Sequence, residues 1–205
     1  MTGSKKHWED KYSEDAPMEV SWYQAVPSVS LKFIEHTGLA KGESLIDVGG
    51  GASTLVDSLI KLGFENIGVL DISSVSLEHT QQRLGSEKNK VEWIVSDIKT
   101  FESKHKFSVW HDRAVFHFLT EEKDRQEYLR VLKATLVSRG HFVIATFALD
   151  GPTQCSGLDV ARYDSDSLAA FFGDDFELLE TEAEVHKTPW NSAQKFVYCR
   201  FKALL

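Results

Sequence analysis

The segment Leu45-Ile46-Asp47-Val48-Gly49-Gly50-Gly51-Ala52-Ser53-Thr54 restricts this chain more than any other. An apolar, β-prone run ends in three glycines and passes into two hydroxyl residues suited to the start of a helix. Glycine lets the backbone turn sharply and approach a ligand where a Cβ would intervene. The following helix directs unpaired N–H groups at the same place. Strand, glycine turn and helix in this order open a βαβ unit and point to a nucleotide-type loop.

The rest of the chain repeats that rhythm. Short runs rich in Val, Ile and Phe at residues 44–48, 66–70, 91–95, 107–110 and 141–147 read as strands buried on both faces. Helical stretches fall between them at 54–61, 75–84 and 121–136, the last carrying Tyr128, Leu129, Leu132 and Leu136 at helical spacing. Such alternation predicts parallel pairing through right-handed crossovers, hence an α/β doubly wound sheet. The last third departs from it. Residues 176–185 and 194–201 both read as strands, and the eight residues between them include the turn formers Thr188, Pro189, Asn191 and Ser192. So short a link requires an antiparallel hairpin. A single domain over residues 1–205 is expected. Residues 1–25 form a helical appendage that concentrates Trp8, Tyr12, Trp22 and Tyr23.

Composition excludes several classes. With 42% hydrophobic and 26% charged residues in 205, the chain is neither disordered nor a disulfide-stapled miniprotein. Its net charge of -8 disfavours nucleic acid, because that affinity comes largely from Lys and Arg neutralising phosphates. Cys155 and Cys199 read as reduced thiols, and the polar N-terminus has no apolar core of a secretory signal. No run approaches the ~20 apolar residues of a membrane span. A soluble, cytoplasmic protein is expected. No metal is expected, since His111 and His117 lack a clear third ligand.

The ligand class turns on three carboxylates. Gly49 and Gly51 fit the dinucleotide pattern G-x-G-x-x-G, but its third position is Thr54. Asp71, closing the second strand before Ile72, suits a ribose diol in any adenosine-like ligand. Asp47, just ahead of the glycines, can accept from a ligand ammonium and would repel a pyrophosphate. Asp97 and Ile98, after the third strand, offer an acceptor for an adenine amino group and an apolar face for the ring.

Together these residues resemble the class I S-adenosylmethionine-dependent methyltransferases. Asp47-Val48-Gly49-Gly50-Gly51 is similar to that family's first motif, Asp71 to its ribose-binding acid, and Asp97-Ile98 to its adenine contact. The C-terminal hairpin is similar to the reversed strand that marks the fold. The resemblance implies a Rossmann-like sheet of order 3-2-1-4-5-7-6 and S-adenosylmethionine as cofactor. Trp8-Glu9-Asp10-Lys11-Tyr12 resembles the N-terminal helix that thiopurine-type methyltransferases fold over the cofactor, which adds Trp8, Tyr12 and Trp22 as cover. Simple docking of an aromatic helix face on the core is the alternative.

The family places the methyl acceptor beside the end of the fourth strand, which makes Asp112, His111 and His117 the catalytic candidates. The alternative is an Asp112–Arg113 ion pair or helix cap with packing histidines. Residues 112–117 partly match the Asp-Lys-Gly-x-x-Asp pattern of protein-lysine methyltransferases. Asp112 is kept, while Arg113, Ala114 and His117 replace the Lys, Gly and second Asp. Residues 145–152 and 155–158 look more like bacterial methyltransferases of unassigned substrate. In the loop 149–163, Arg162 and Tyr163 are candidates to reach an acidic acceptor, unless Arg162 pairs with a surface acid. The acceptor is thus a small molecule or a protein side chain. The rival readings are a nicotinamide oxidoreductase and a cofactor-binding protein without turnover.

Overall fold

The computed structural model describes residues 2–14 and 16–205. Helix α1 (Thr2–Glu14) and a run of turns lead into α2 (Ser28–Glu35). Then come β1 (Ser44–Val48), α3 (Leu55–Lys61), β2 (Asn66–Asp71), α4 (Ser74–Leu84), β3 (Val91–Val95), β4 (Phe107–Arg113), α5 (Glu122–Thr135) and β5 (Leu136–Phe147). A miniature hairpin of β6 (Gln154–Cys155) and β7 (Leu158–Asp159) precedes α6 (Ser165–Phe172), β8 (Phe176–Lys187) and β9 (Ala193–Ala203).

Seven strands form one sheet in the order β3-β2-β1-β4-β5-β9-β8. The first five pair in parallel, and β9 runs antiparallel to both β5 and β8. This is the expected order, with β6 and β7 paired only to each other. Met1 and Asp15 of the expected N-terminal segment lie outside the described residues.

Period-two alternation explains the layers. Along β1, Ile46 and Val48 join the core beneath α5 and α6, while Leu45 joins the core beneath α2, α3 and α4. The former core is strongly aromatic: Phe142 on β5 is fully buried and packs on Tyr128, Phe172, Phe176 and Phe201. A third cluster of Phe33, Val143, Phe147, Phe196 and Tyr198 seats α2 against β5 and β9. Local signals set the helix starts. Ser73 accepts from the Ser76 amide to cap α4, and Asp164 with Ser167 forms a capping box on α6. Both α2 and α6 have eight residues, which is too short for a firm periodic signal.

One boundary differs in a way that matters for the site. The fourth strand was expected to end at Trp110 and instead continues to Arg113. His111, Asp112 and Arg113 therefore alternate across the sheet instead of sharing a loop.

Phe142→Ala should remove the centre of the aromatic core and lower stability by about 3–5 kcal/mol, read as a drop in the urea midpoint. A midpoint within error of wild type would contradict this packing.

Candidate active site

The site is built where β1 and β2 end side by side. Leu70 O accepts from the Gly49 and Gly50 amides at 2.7 and 3.2 Å. Asp71 Oδ2 accepts from Gly51 N at 3.1 Å, and Oδ1 accepts from Ser73 N at 2.9 Å. The glycine loop is thereby drawn onto the end of the neighbouring strand. Only glycine fits such closeness: a Cβ would overlap Val115 at Gly49, the Asp47 carboxylate at Gly50, and Ser76 with Asp71 at Gly51. Gly49 also has φ 69°. Burial pushes the Asp71 carboxyl up to about 6, although the amides of Ser73 and Gly51 and the Ser76 hydroxyl favour its anion.

A cavity of roughly 270 Å³ opens above this loop. Gly49, Asp71, Ile72, Asp97 and Ile98 all line it. Asp97 is held by the Lys99 amide at 3.0 Å, and Lys99 Nζ also reaches Asp124 at 3.2 Å on the same wall. This wall pairs an apolar surface with carboxylate acceptors, the chemistry an adenosine needs. Asp47 and Gly51, expected beside them, do not line it; the Gly51 carbonyl accepts from Thr80 Oγ1 at 2.6 Å.

Aromatic side chains cover the opposite side. Trp8, Tyr12 and Trp22 line the cavity together with Phe118. Trp8 has its ring centroid 5.8 Å from Trp22 and 5.2 Å from Phe118, both edge-on. Helix α1 is fastened by Glu9, whose carboxylate accepts from Ser74 N at 2.9 Å and Ser74 Oγ at 3.2 Å at the α4 N-terminus. His79 Nε2 lies 2.9 Å from Tyr12 O. The following segment is tied to the loop by Thr54 Oγ1, which donates to Gln24 O at 2.7 Å.

Asp112, His111 and His117, expected at the acceptor, do not line this cavity. Asp112 points into the α5 side of the sheet. It accepts from Tyr128 OH at 2.7 Å, Val115 N at 2.9 Å and Phe116 N at 3.2 Å. Burial raises its carboxyl to about 6 against the pull of those donors. His111 faces the other way, between Asp47 Oδ1 at 2.7 Å and Ser30 Oγ at 2.9 Å. His117 is fully buried against Phe118 and Phe147, and burial, helped by the Arg113 charge, lowers its imidazole to about 3. Arg162 donates to the carbonyls of Leu149 and Gly151, and Tyr163 packs on Phe116.

The residues that do wall the far side are Arg113, Ala114, Phe118 and Cys155. Arg113 donates from Nε to Tyr198 OH at 2.8 Å and from Nη1 to Trp22 O at 3.2 Å, with its guanidinium over Phe196. Burial pushes the Cys155 thiol up to about 11. The side chains of Asp47 and Arg113 also border a second cavity of roughly 50 Å³ beneath Gly49 and Gly50.

Residues 46–142, which hold the glycine loop, Asp71, Asp97 and all of β4, match the family model described as a methyltransferase domain. Over those residues the chain carries a methyltransferase domain. A methyltransferase structure from Anabaena variabilis covers 98% of this chain and 95% of its own, with TM-score 0.78 at 17% identity. The N-methyltransferase NodS from Bradyrhizobium japonicum, solved with S-adenosyl-L-homocysteine, covers 98% of both chains with TM-score 0.74 at 13% identity. Among curated relatives, EEF1A lysine methyltransferase 2 of Danio rerio is 24% identical over 163 residues, 70% of this chain and 68% of its own. The eEF1A lysine and N-terminal methyltransferase of Mus musculus is matched over 14% of its length.

Several lining residues of this methyltransferase carry no sequence signal of their own. Phe118 ends a single 3-10 turn and Cys155 lies on the two-residue strand β6, both too short to leave a periodic pattern. Arg113 reads as a partner of its neighbour Asp112, although adjacent strand residues face opposite sides. The alternation along β4 is the one clue that separates them.

Since Asp112 takes a buried hydroxyl and two amides, Asp112→Asn should cost about 1–3 kcal/mol of stability in urea unfolding. An unchanged midpoint would restore Asp112 as a candidate at the acceptor.

Proposed function

We propose that the larger cavity binds S-adenosylmethionine and presents its methyl group to an acceptor, a small molecule or a protein side chain, arriving beside Arg113, Ala114 and Phe118. The observation that carries this reading is the Asp71 carboxylate, 6% exposed and set in the cavity wall. Each of its oxygens takes one backbone amide and keeps a lone pair for a vicinal diol. Asp97 and Ile98, with Ile72, would hold the base, and Gly49 and Gly51 let the backbone pass beneath the ligand. Asp47 would face the amino-acid end. Trp8, Tyr12 and Trp22 would exclude water from above.

When bound, the sulfonium supplies an electrophilic methyl group, so the protein's tasks are aim and proton management. The carboxylates lining the cavity, Asp71, Asp97 and Asp124, stand on the adenosine side, and among the described residues no imidazole lines it. An acceptor therefore arrives with its lone pair free or gives its proton to solvent. Asp112 acts as a positioning residue in this reading. Its bonds to the Val115 and Phe116 amides hold the turn at Ala114, where φ is 71°, and set Val115 against Gly49.

The zebrafish relative favours a lysine acceptor on a protein, while the altered 112–117 segment and the aromatic cover favour a smaller one. Net charge argues against nucleic acid, and among the described residues no helix is long and apolar enough to cross a membrane.

Transfer of labelled methyl from S-adenosylmethionine into a fractionated cell extract tests the reaction. Acid-precipitable label identifies a protein acceptor, soluble label a metabolite, and no label in any fraction contradicts the proposal. Asp71→Ala should cut affinity for S-adenosylhomocysteine more than about tenfold, the loss expected for charge-assisted hydrogen bonds to a diol. A diol needs the Asp71 anion as acceptor, so protonation competes with binding. Affinity should be level above about pH 7 and weaken about tenfold per unit below the Asp71 value of about 6. Asp71→Asn should flatten that profile, and a profile unchanged in this variant would assign the titration elsewhere.

A further inference from the structure

The acceptor side of the larger cavity offers neither an unmatched charge nor a proton acceptor. Its walls there are Trp8, Trp22, Arg113, Ala114, Phe118 and Cys155. The Arg113 guanidinium is already matched, with Nη2 3.6 Å from the Glu184 carboxylate and the two side chains 10% and 15% exposed. Glu184 is held in turn by Gln24 Nε2 at 2.8 Å. Burial pushes up both the Cys155 thiol and the neighbouring Tyr12 hydroxyl, so each keeps its proton at neutral pH. The carboxylates of the cavity, Asp71, Asp97 and Asp124, stand on the wall across from these residues.

Four aromatic rings close this side. Trp8 lies edge-on to Trp22 and Phe118 and tilted against Tyr12 at 6.3 Å, and Tyr12 lies edge-on to Trp22 at 6.1 Å. Each ring contacts the next, so the cover is continuous and keeps water from what lies beneath. The Trp22 backbone is fixed by Arg113 Nη1, which donates to its carbonyl at 3.2 Å. The space below is small. At roughly 270 Å³ it falls near the lower limit of ligand pockets, about 300 Å³, and it has to house the cofactor too. What remains suits one flat ring or a fused pair, and aromatic walls favour an aromatic guest.

Such a guest has to meet the methyl group with its lone pair already free. An alkylamine (~10.4), a phenol (~10) and a thiol (~8.5) are mostly protonated at neutral pH, and neither this wall nor excluded solvent takes their proton. An imidazole-type ring nitrogen, at ~6.5, has its lone pair free. A protonated amine would also set a second cation beside the sulfonium. We infer that the acceptor is a small, planar, uncharged heteroaromatic molecule, methylated on a ring nitrogen and selected by contact with Phe118. The inference rests on the cofactor reading of this cavity given above. The ring nitrogen's lone pair forms the bond to the methyl carbon, the pair of the broken C–S bond returns to sulfur, and the positive charge passes from sulfur to the ring. No proton moves in this step.

The test begins with labelled methyl transfer from S-adenosylmethionine into a fractionated cell extract, the product being purified and its methylated atom located by nuclear magnetic resonance. Label on an aromatic ring nitrogen supports the inference. Label on a protein, on an aliphatic nitrogen, or on any oxygen or sulfur overturns it. Failure to bind S-adenosylhomocysteine, or no label in any fraction, removes the methyl-transfer reading itself and the inference with it. With the purified acceptor and saturating cofactor, turnover should change less than about twofold between about pH 7.5 and 9.5, whereas an amine would gain about a hundredfold as its free form grows tenfold per unit. Such a gain overturns the inference. Phe118→Leu should raise the acceptor KM about three- to tenfold, the worth of one aromatic pair, and keep the wild-type affinity for S-adenosylhomocysteine. An unchanged KM, or an equal loss of cofactor affinity, overturns the selecting role of Phe118.

Discussion

The closeness of the glycine loop to the end of β2 governs the architecture of the site. Asp71 and Leu70 O collect the amides of Gly49, Gly50, Gly51 and Ser73, and no Cβ can be placed at the three glycines without collision. That contact brings the ends of β1 and β2 together, aims α3 and α4 away on one side, and leaves the Asp71 carboxylate in the cavity wall. The elevated carboxyl of Asp71 is the cost of the arrangement. A carboxylate is held partly desolvated, its anion supported by amides that alone do not offset the burial.

Around this contact the protein separates its charges by location. The surface is acidic, yet the cavity holds carboxylates mostly along one wall and the Arg113 guanidinium on the other. The aromatic cover carries no formal charge, so what lies beneath it is screened less than on the surface. The order of strands matters here, because β4 lies between β1 and β5 and brings Arg113 to the side of the loop away from Asp71.

What could be read from the sequence was local. The loop, Asp71, Asp97 and the alternation of elements are each contained within a few neighbouring residues, and the reversed C-terminal strand follows from the shortness of one turn. The aromatic concentration before residue 25 was equally visible, though not whether it covered a ligand or merely docked a helix. That His111 and Asp112 face opposite sides of the sheet was hidden because the strand end reads three residues early. Beyond Trp110, a loop and a continuing strand contain the same residues, but only the strand sends Asp112 to Tyr128 and His111 to Ser30. Partners so distant in sequence leave no trace near the residues themselves, and Arg113 was obscured for the same reason.

The alternation along β4 has a dynamic consequence. Its Trp110 and Asp112 belong to the aromatic core and its His111 and Arg113 to the floor of the site, so the strand cannot open without dismantling both. Backbone hydrogens of β4 should exchange with solvent only when the whole domain unfolds. The cover is different. It rests on a helix secured at the α4 terminus by Glu9 and on edge-on ring contacts, which can part while the sheet remains intact. The cavity thus has a floor woven into the sheet and a roof joined to it only through side chains and the ends of neighbouring elements.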